Sequence, residues 1–201
     1  MKPFLSLLLA LGFAVSVHAE VSKPNIIFIL ADDIGLPGFG CTGGVYKTPN
    51  IDALAAGGLR FENCYAAPLC APSRAMLMTG RYAFRTGVVS NGHGEAATPE
   101  KDGCVAQLMK QAGYSTAVAG KWRQLSYLTT KEDGAKWGWD EFLVWGAGDA
   151  EEGEVKKGKG KGSRYWDPDY NLNGAKAPET EGKYGPDVLQ NFVLDFVKRH
   201  Q

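Results

Sequence analysis

The run Ile26-Ile27-Phe28-Ile29-Leu30-Ala31 is apolar at every position, with no polar residue on an alternating face. Such a run predicts a strand buried on both sides, as in the middle of a parallel sheet. It stops at Asp32-Asp33, followed by glycines at 35, 38 and 40. Adjacent strand residues point to opposite faces, so two neighbouring aspartates can share one ligand only where the strand ends and turns. In open α/β sheets, ligands gather at those carboxyl ends. Two adjacent carboxylates repel unless a cation lies between them, and a hard divalent cation prefers such oxygens. The competing reading is a solvated Asp-Asp turn.

The elements downstream fit the same architecture. Thr48-Pro49 opens a helix with Thr48 as cap, Ile51, Leu54 and Ala55 as inner stripe, and Gly57-Gly58 as stop. Leu59 to Tyr65 alternates loosely and reads as a second strand. The stretch from Arg81 to Thr98-Pro99 is loop-like. Val105, Leu108, Met109 and Ala112 recur at helical spacing before Gly113, and Tyr114 to Ala119 reads as a buried strand. Asp140 to Trp145 is one more strand. Residues 146–185 shift to glycine, charge and tyrosine, and read as a solvated, flexible insertion. Acids come first there (Asp149, Glu151, Glu152, Glu154); bases follow from Lys156 to Lys161 and at Arg164, which could also form a lid attracting a polyanion. Pro186 to His200 is the most regular helix, with Val188, Leu189, Phe192, Val193, Phe196 and Val197 inward. The order of strands and helices predicts an α/β sandwich with a largely parallel central sheet flanked by helices.

The chemistry concentrates in Leu69-Cys70-Ala71-Pro72-Ser73-Arg74, continuing to Thr79-Gly80-Arg81. Pro72 suits the first turn of a helix. Cys70 then stands at the positive end of the helix dipole, near unpaired N–H groups that suit an oxyanion. Arg74 lies about one turn further along the same face. The competing reading is a buried cysteine before an ordinary helix. A tyrosine-phosphatase-type loop is disfavoured, because it resembles Cys-x5-Arg and here the arginine follows after three residues.

Cys70, Pro72, Ser73, Arg74, Leu77, Thr79 and Gly80 resemble the signature of the sulfatase family, with Leu69 and Arg81 also in keeping. The resemblance runs from about Asn25 to the final helix. It implies the alkaline-phosphatase-like fold, incomplete in this chain, and hydrolysis of sulfate monoesters, foremost of sulfated carbohydrate. It implies that Cys70 becomes formylglycine (3-oxoalanine) through a maturation enzyme. Of the two hydroxyls of the hydrated form, one attacks sulfur and displaces the alcohol; the other then loses its proton and expels sulfate, regenerating the aldehyde. It implies Ca²⁺, with Mg²⁺ second, held by Asp32, Asp33 and residue 70. Gly120-Lys121-Trp122-Arg123 resembles the family's Gly-Lys-Trp-His, so Lys121 and Arg123 join Cys70 and Arg74 as catalytic candidates. Arg123 departs from the pattern, and arginine is a poor general base. Tyr165-Trp166-Asp167-Pro168 resembles an ordered aromatic loop, with Trp166 able to stack on a sugar ring.

Family members are considerably longer and supply further metal ligands and a leaving-group base from later segments. The chain therefore reads as an amino-terminal portion, itself poorly active. Alternatives are a phosphoester or phosphonate-ester hydrolase of the same superfamily and an inactive remnant binding sulfated glycan.

Residues 1–19 read as a signal peptide: Lys2, an apolar run to Val17, then Val17-His18-Ala19 before Glu20. This predicts export to the periplasm or outside, with residues 20–201 as the catalytic domain, and no membrane span. Cleavage leaves a net charge of −1, from 21 basic and 22 acidic residues, which offers no basis for a nucleic-acid partner. With Cys70 modified, Cys41, Cys64 and Cys104 allow at most one bridge, with the pairing open; Cys104 reads as a small apolar residue on a helix face.

Overall fold

The computed structural model describes residues 23–146 and 164–200. The chain divides into two units, Met1–Ile34 and Gly35–Gln201. The signal peptide, the acidic run and most of the basic loop fall outside the described residues.

The larger unit carries a four-stranded sheet in the order β1 (Ala117–Lys121), β2 (Glu141–Trp145), β3 (Asn171–Leu172), β4 (Ala175–Lys176). β1 and β2 are parallel, with Lys121 opposite Trp145; β2–β3 and β3–β4 are antiparallel. Seven α-helices are described: α1 (Pro49–Gly57), α2 (Cys70–Thr79), α3 (Ala83–Thr86), α4 (Pro99–Asp102), α5 (Val105–Gln111), α6 (Lys131–Trp137) and α7 (Gly185–Arg199).

Alternation along β2 builds two cores. Phe142 and Val144 join Trp122, Leu125, Leu128 and Trp137, together with Ala71 and Ala75 of α2 and Ala106 of α5. Trp122 and Trp137 meet edge to face, 6.2 Å between centroids, a favoured aromatic geometry. On the opposite side, Leu143 packs with Tyr170, Ala177 and the Val188, Leu189 and Phe192 stripe of α7. β2 is thus the strand covered on both faces. The strand read at Asp140 to Trp145 is therefore present, from Glu141 onward.

The loop between α6 and β2 sets how close these layers come. Gly138 has φ +87, and a Cβ there would fall 2.4 Å from the Gln107 nitrogen of α5. The sheet start is fixed by Asp140, whose carboxylate accepts from the Thr116 N–H at 2.9 Å and the Thr116 hydroxyl at 3.1 Å and pairs with Lys110. α6 is capped reciprocally by Thr130 and Asp133.

Several expectations are corrected. Residues 26–31 form no strand, and Ile26 to Leu30 are exposed, Ile29 by 80%. Residues 59–65 form no strand either. A strand apolar on both faces is buried only when sheet neighbours flank it, and among the described residues the paired strands all lie between Ala117 and Lys176. For the same want of a covering layer, Ile51 and Leu54 of α1 are exposed. Thr48 does not cap α1 with its side chain; its hydroxyl accepts from Gly40 and donates to Asp52. The strand expected at 114–119 starts three residues later, because Thr116 is occupied by the Asp140 clamp. Within the span read as a solvated insertion, residues 164–184 add β3 and β4 and bury Pro168 and Tyr170.

Burial pushes the Asp140 carboxyl up, but Lys110 and Thr116 outweigh it and hold it below the usual carboxylate range. A group lowered in this way contributes stability above its unfolded pKa, about 4, and loses it as pH falls through the folded value. Asp140→Asn is expected to lower the urea midpoint at pH 7. Wild type and variant should converge as pH falls below about 4. Urea titrations across that range check this.

Candidate active site

α2 begins where Leu69 leaves an extended conformation, φ −123 and ψ 155, and it ends at Gly80 with φ 66. No side chain of the preceding residue caps it. Ser73 instead ties the first turn to the incoming chain, donating to the carbonyls of Ala67 and Leu69, both at 2.9 Å. Pro72 sits in that turn at no hydrogen-bond cost.

The first-turn N–H of Ala71 meets a partner from outside the helix, the Asn91 side-chain oxygen, at 3.2 Å. The same oxygen accepts from the Cys70 thiol at 3.3 Å. From the other side, Lys121 at the end of β1 brings its ammonium to 3.1 Å from the Cys70 sulfur. Residue 70 thus stands at a helix N-terminus between a fixed acceptor and a fixed cation. The parallel pairing delivers the lysine, since Lys121 closes β1 opposite Trp145 and holds its ammonium 5.9 Å from that ring.

The structure brings Cys70 and Lys121 together. Arg74 lies one turn along α2 and is 8% exposed. Arg123 packs against Gly146, where a Cβ would come within 3.0 Å of the arginine's Cγ and Nε. That Nε is sealed from solvent without a hydrogen-bond partner among the described residues. Trp166 is exposed and tilts against Tyr184, 5.3 Å between centroids. Asp32 and Asp33 belong to the smaller unit, Asp33 in the left-handed region at φ 58. Among the described residues, no group of three or more His, Cys, Asp or Glu side chains is arranged to hold a metal. The Asp-Asp pair suits a hard cation in kind, but supplies only part of the six to eight oxygens that Ca²⁺ takes.

Asn91 is the residue that sequence reasoning missed. It lies 21 positions from Cys70 in the loop after α3, and no helical or strand period connects the two. Its only local signal is the turn-forming pair Asn91-Gly92.

All four cysteines are free. Cys104 is not on a helix face but at the N-cap of α5, 4% exposed. Burial pushes its thiol up to about 11.

A sulfur at a helix N-terminus, met by a cation from the carboxyl end of a parallel strand, defines a class of α/β protein with positive charge gathered around one sulfur. The comparisons give that class its family. The sequence model of the Sulfatase family matches residues 24–196, and the chain belongs to the sulfatase family. It is 33% identical over 184 residues to an N-acetylglucosamine-6-O-sulfatase of Bacteroides thetaiotaomicron, covering 89% of this chain and 28% of that protein. It is 44% identical over 122 residues to arylsulfatase A of Homo sapiens, covering 58% of this chain and 24% of that one. Steryl-sulfatase of Homo sapiens is 45% identical over 130 residues, or 60% and 22% of the two chains. The crystal structure of Ps i-CgsB superposes with a TM-score of 0.70 at 29% identity, over 88% of this chain and 42% of that one. These matches fix the α/β, alkaline-phosphatase-like fold. The chain spans roughly a fifth to a quarter of the length of these three curated relatives.

Timed alkylation at pH 8 should follow the burial of the thiols. Exposed Cys64 is expected to react first, and Cys104 last, being buried and almost wholly protonated. Peptide mass spectrometry of quenched samples reads the order; early labelling of Cys104 would contradict the packing described.

Proposed function

We propose that the protein containing this sequence hydrolyses sulfate monoesters, with the reacting group bound at residue 70. The observation that carries this reading is the 3.1 Å approach of Lys121 to Cys70 at the start of α2, inside the segment matching the family signature. The Lys121 ammonium holds an anionic oxygen and offsets charge as it grows there, the largest kind of contribution in such reactions. The α2 N-terminus adds a fixed partial positive charge, and Arg74 a second cation one turn along. Asn91 accepts a hydrogen bond from the group at residue 70 and fixes its direction. Arg123 serves as an anion-binding group and not as a base.

On this reading Cys70 is the precursor of formylglycine, which when hydrated supplies a nucleophilic hydroxyl. Asp32 and Asp33 would supply two of the oxygens around a calcium ion, whose chemistry would be to polarise a bound oxyanion and lower the pKa of a coordinated hydroxyl. A signal peptide at residues 1–19 carries the protein to the periplasm or beyond. Among the described residues no helix is long and apolar enough to cross a membrane.

Sulfated carbohydrate is the favoured substrate. The reading draws support from the N-acetylglucosamine-6-O-sulfatase match, which covers most of this chain, and from the similarity to Ps i-CgsB in complex with k-i-k-neocarrahexaose. Exposed Trp166 offers a stacking face for a sugar ring.

The test uses the full-length gene product co-expressed with a formylglycine-generating enzyme. Mass spectrometry of the tryptic peptide containing residue 70 should find the aldehyde, and the protein should hydrolyse an aryl sulfate. Lys121→Ala is expected to lower kcat/KM by about a hundredfold or more, and Cys70→Ala to abolish turnover. Unmodified Cys70 together with full activity would overturn the reading.

A further inference from the structure

Arg164 is a further cation, held against the Trp145 ring that ends β2, and its surroundings are built. Its guanidinium carbon lies 5.0 Å from the centre of the Trp145 ring and 5.1 Å from that of Tyr165. Its main chain is locked. The Arg164 carbonyl accepts from the Tyr170 hydroxyl at 2.7 Å, and Gly185 approaches so closely that a Cβ would fall 2.2 Å from that oxygen. Its Nε is sealed from solvent and has no hydrogen-bond partner among the described residues.

Aromatic rings attract the faces of a guanidinium, whereas its N–H donors lie in its plane and need acceptors. Two rings therefore hold Arg164 in place without satisfying its Nε–H. The Nε side of the guanidinium is covered, so an oxyanion arriving from solvent meets the outer N–H edge instead, with charge-assisted hydrogen bonds.

The position relative to residue 70 gives the ligand. Trp145 is shared: the Lys121 ammonium lies 5.9 Å from the same ring, and Lys121 also reaches Cys70. A single indole thus links the cation at the reacting centre to Arg164. On the next residue, Gly146, rests Arg123, whose Nε is likewise sealed without an acceptor. Tyr165 and Trp166, directly after Arg164, are 52% and 53% exposed, leaving ring surface for a sugar.

We propose that Arg164 forms a second anion-binding position, which takes an additional sulfate on the same glycan while the reacting sulfate occupies residue 70. The inference rests on the sulfated-carbohydrate reading above and deepens it, making the substrate class a multiply sulfated saccharide.

The experiment is calorimetric titration of the full-length protein with two disaccharides that differ only in a second sulfate. Wild type is expected to bind the disulfated one about tenfold tighter or more. Arg164→Gln should erase that preference while leaving the affinity for the monosulfated sugar and the melting temperature unchanged, and Arg164→Lys should restore part of it. A preference that persists in Arg164→Gln overturns the proposal. So does an equal loss for both sugars with a lowered melting temperature, which marks a purely structural arginine, or a wild type that does not distinguish the two. Because binding is read without turnover, hydrolysis of an aryl sulfate, measured separately, tests the catalytic reading independently.

Discussion

The parallel pairing of β1 with β2 is the interaction on which the rest of the larger unit depends. Its start is fixed by Asp140 holding Thr116. Its end is fixed by the Trp122 N–H donating to the Trp145 carbonyl at 2.9 Å. Between those points the register is set, and Lys121 stands opposite Trp145. A slip by one residue would turn every side chain of β2 to the other face. Phe142 and Val144 would then leave the tryptophan core, and Lys121 would no longer end beside Cys70. Two hydrogen-bonded ends thus translate backbone geometry into the position of one ammonium.

The helix N-terminus and its cation were legible because each lies within a short stretch of sequence. Cys70, Pro72 and Arg74 announce one helical turn, and Lys121 follows an apolar strand. Asn91 was not legible, since its contact lies 21 residues away across two helices and the turns that join them, where no single period applies. The strands at 26–31 and 59–65 were misread for a different reason. Apolar composition reports what a residue needs, and a sheet neighbour has to be present to meet that need. β2 has such neighbours on both sides; Ile26 to Leu30 do not form a strand at all. Residues 171–176 were missed in the opposite direction. Asn171, Asn173 and Gly174 look like loop, yet Asn173, in the left-handed region at φ 51, shapes a tight hairpin and accepts from the Phe142 N–H at 2.7 Å, extending the sheet.

Membership of the sulfatase family accounts for the resemblance in the cysteine segment and leaves the individual character of this chain to its departures. Arginine at position 123 is one. Arg164 packs against two rings nearby. Both lie at the end of β2 and both carry a sealed Nε.

Gly138 lies away from all of these groups, between α6 and the Asp140 clamp. Its left-handed backbone and its contact with the Gln107 nitrogen leave no space for even a methyl group. Every single-nucleotide missense change at a glycine codon adds a side chain. Each such allele would wedge the loop away from α5, and with it the neighbouring Asp140 that sets the register two residues further on. The gene thus carries a position where loss of function can arise by inheritance without any change to a residue that touches substrate. In a collection of disabling variants, Gly138 would appear for reasons of spacing alone.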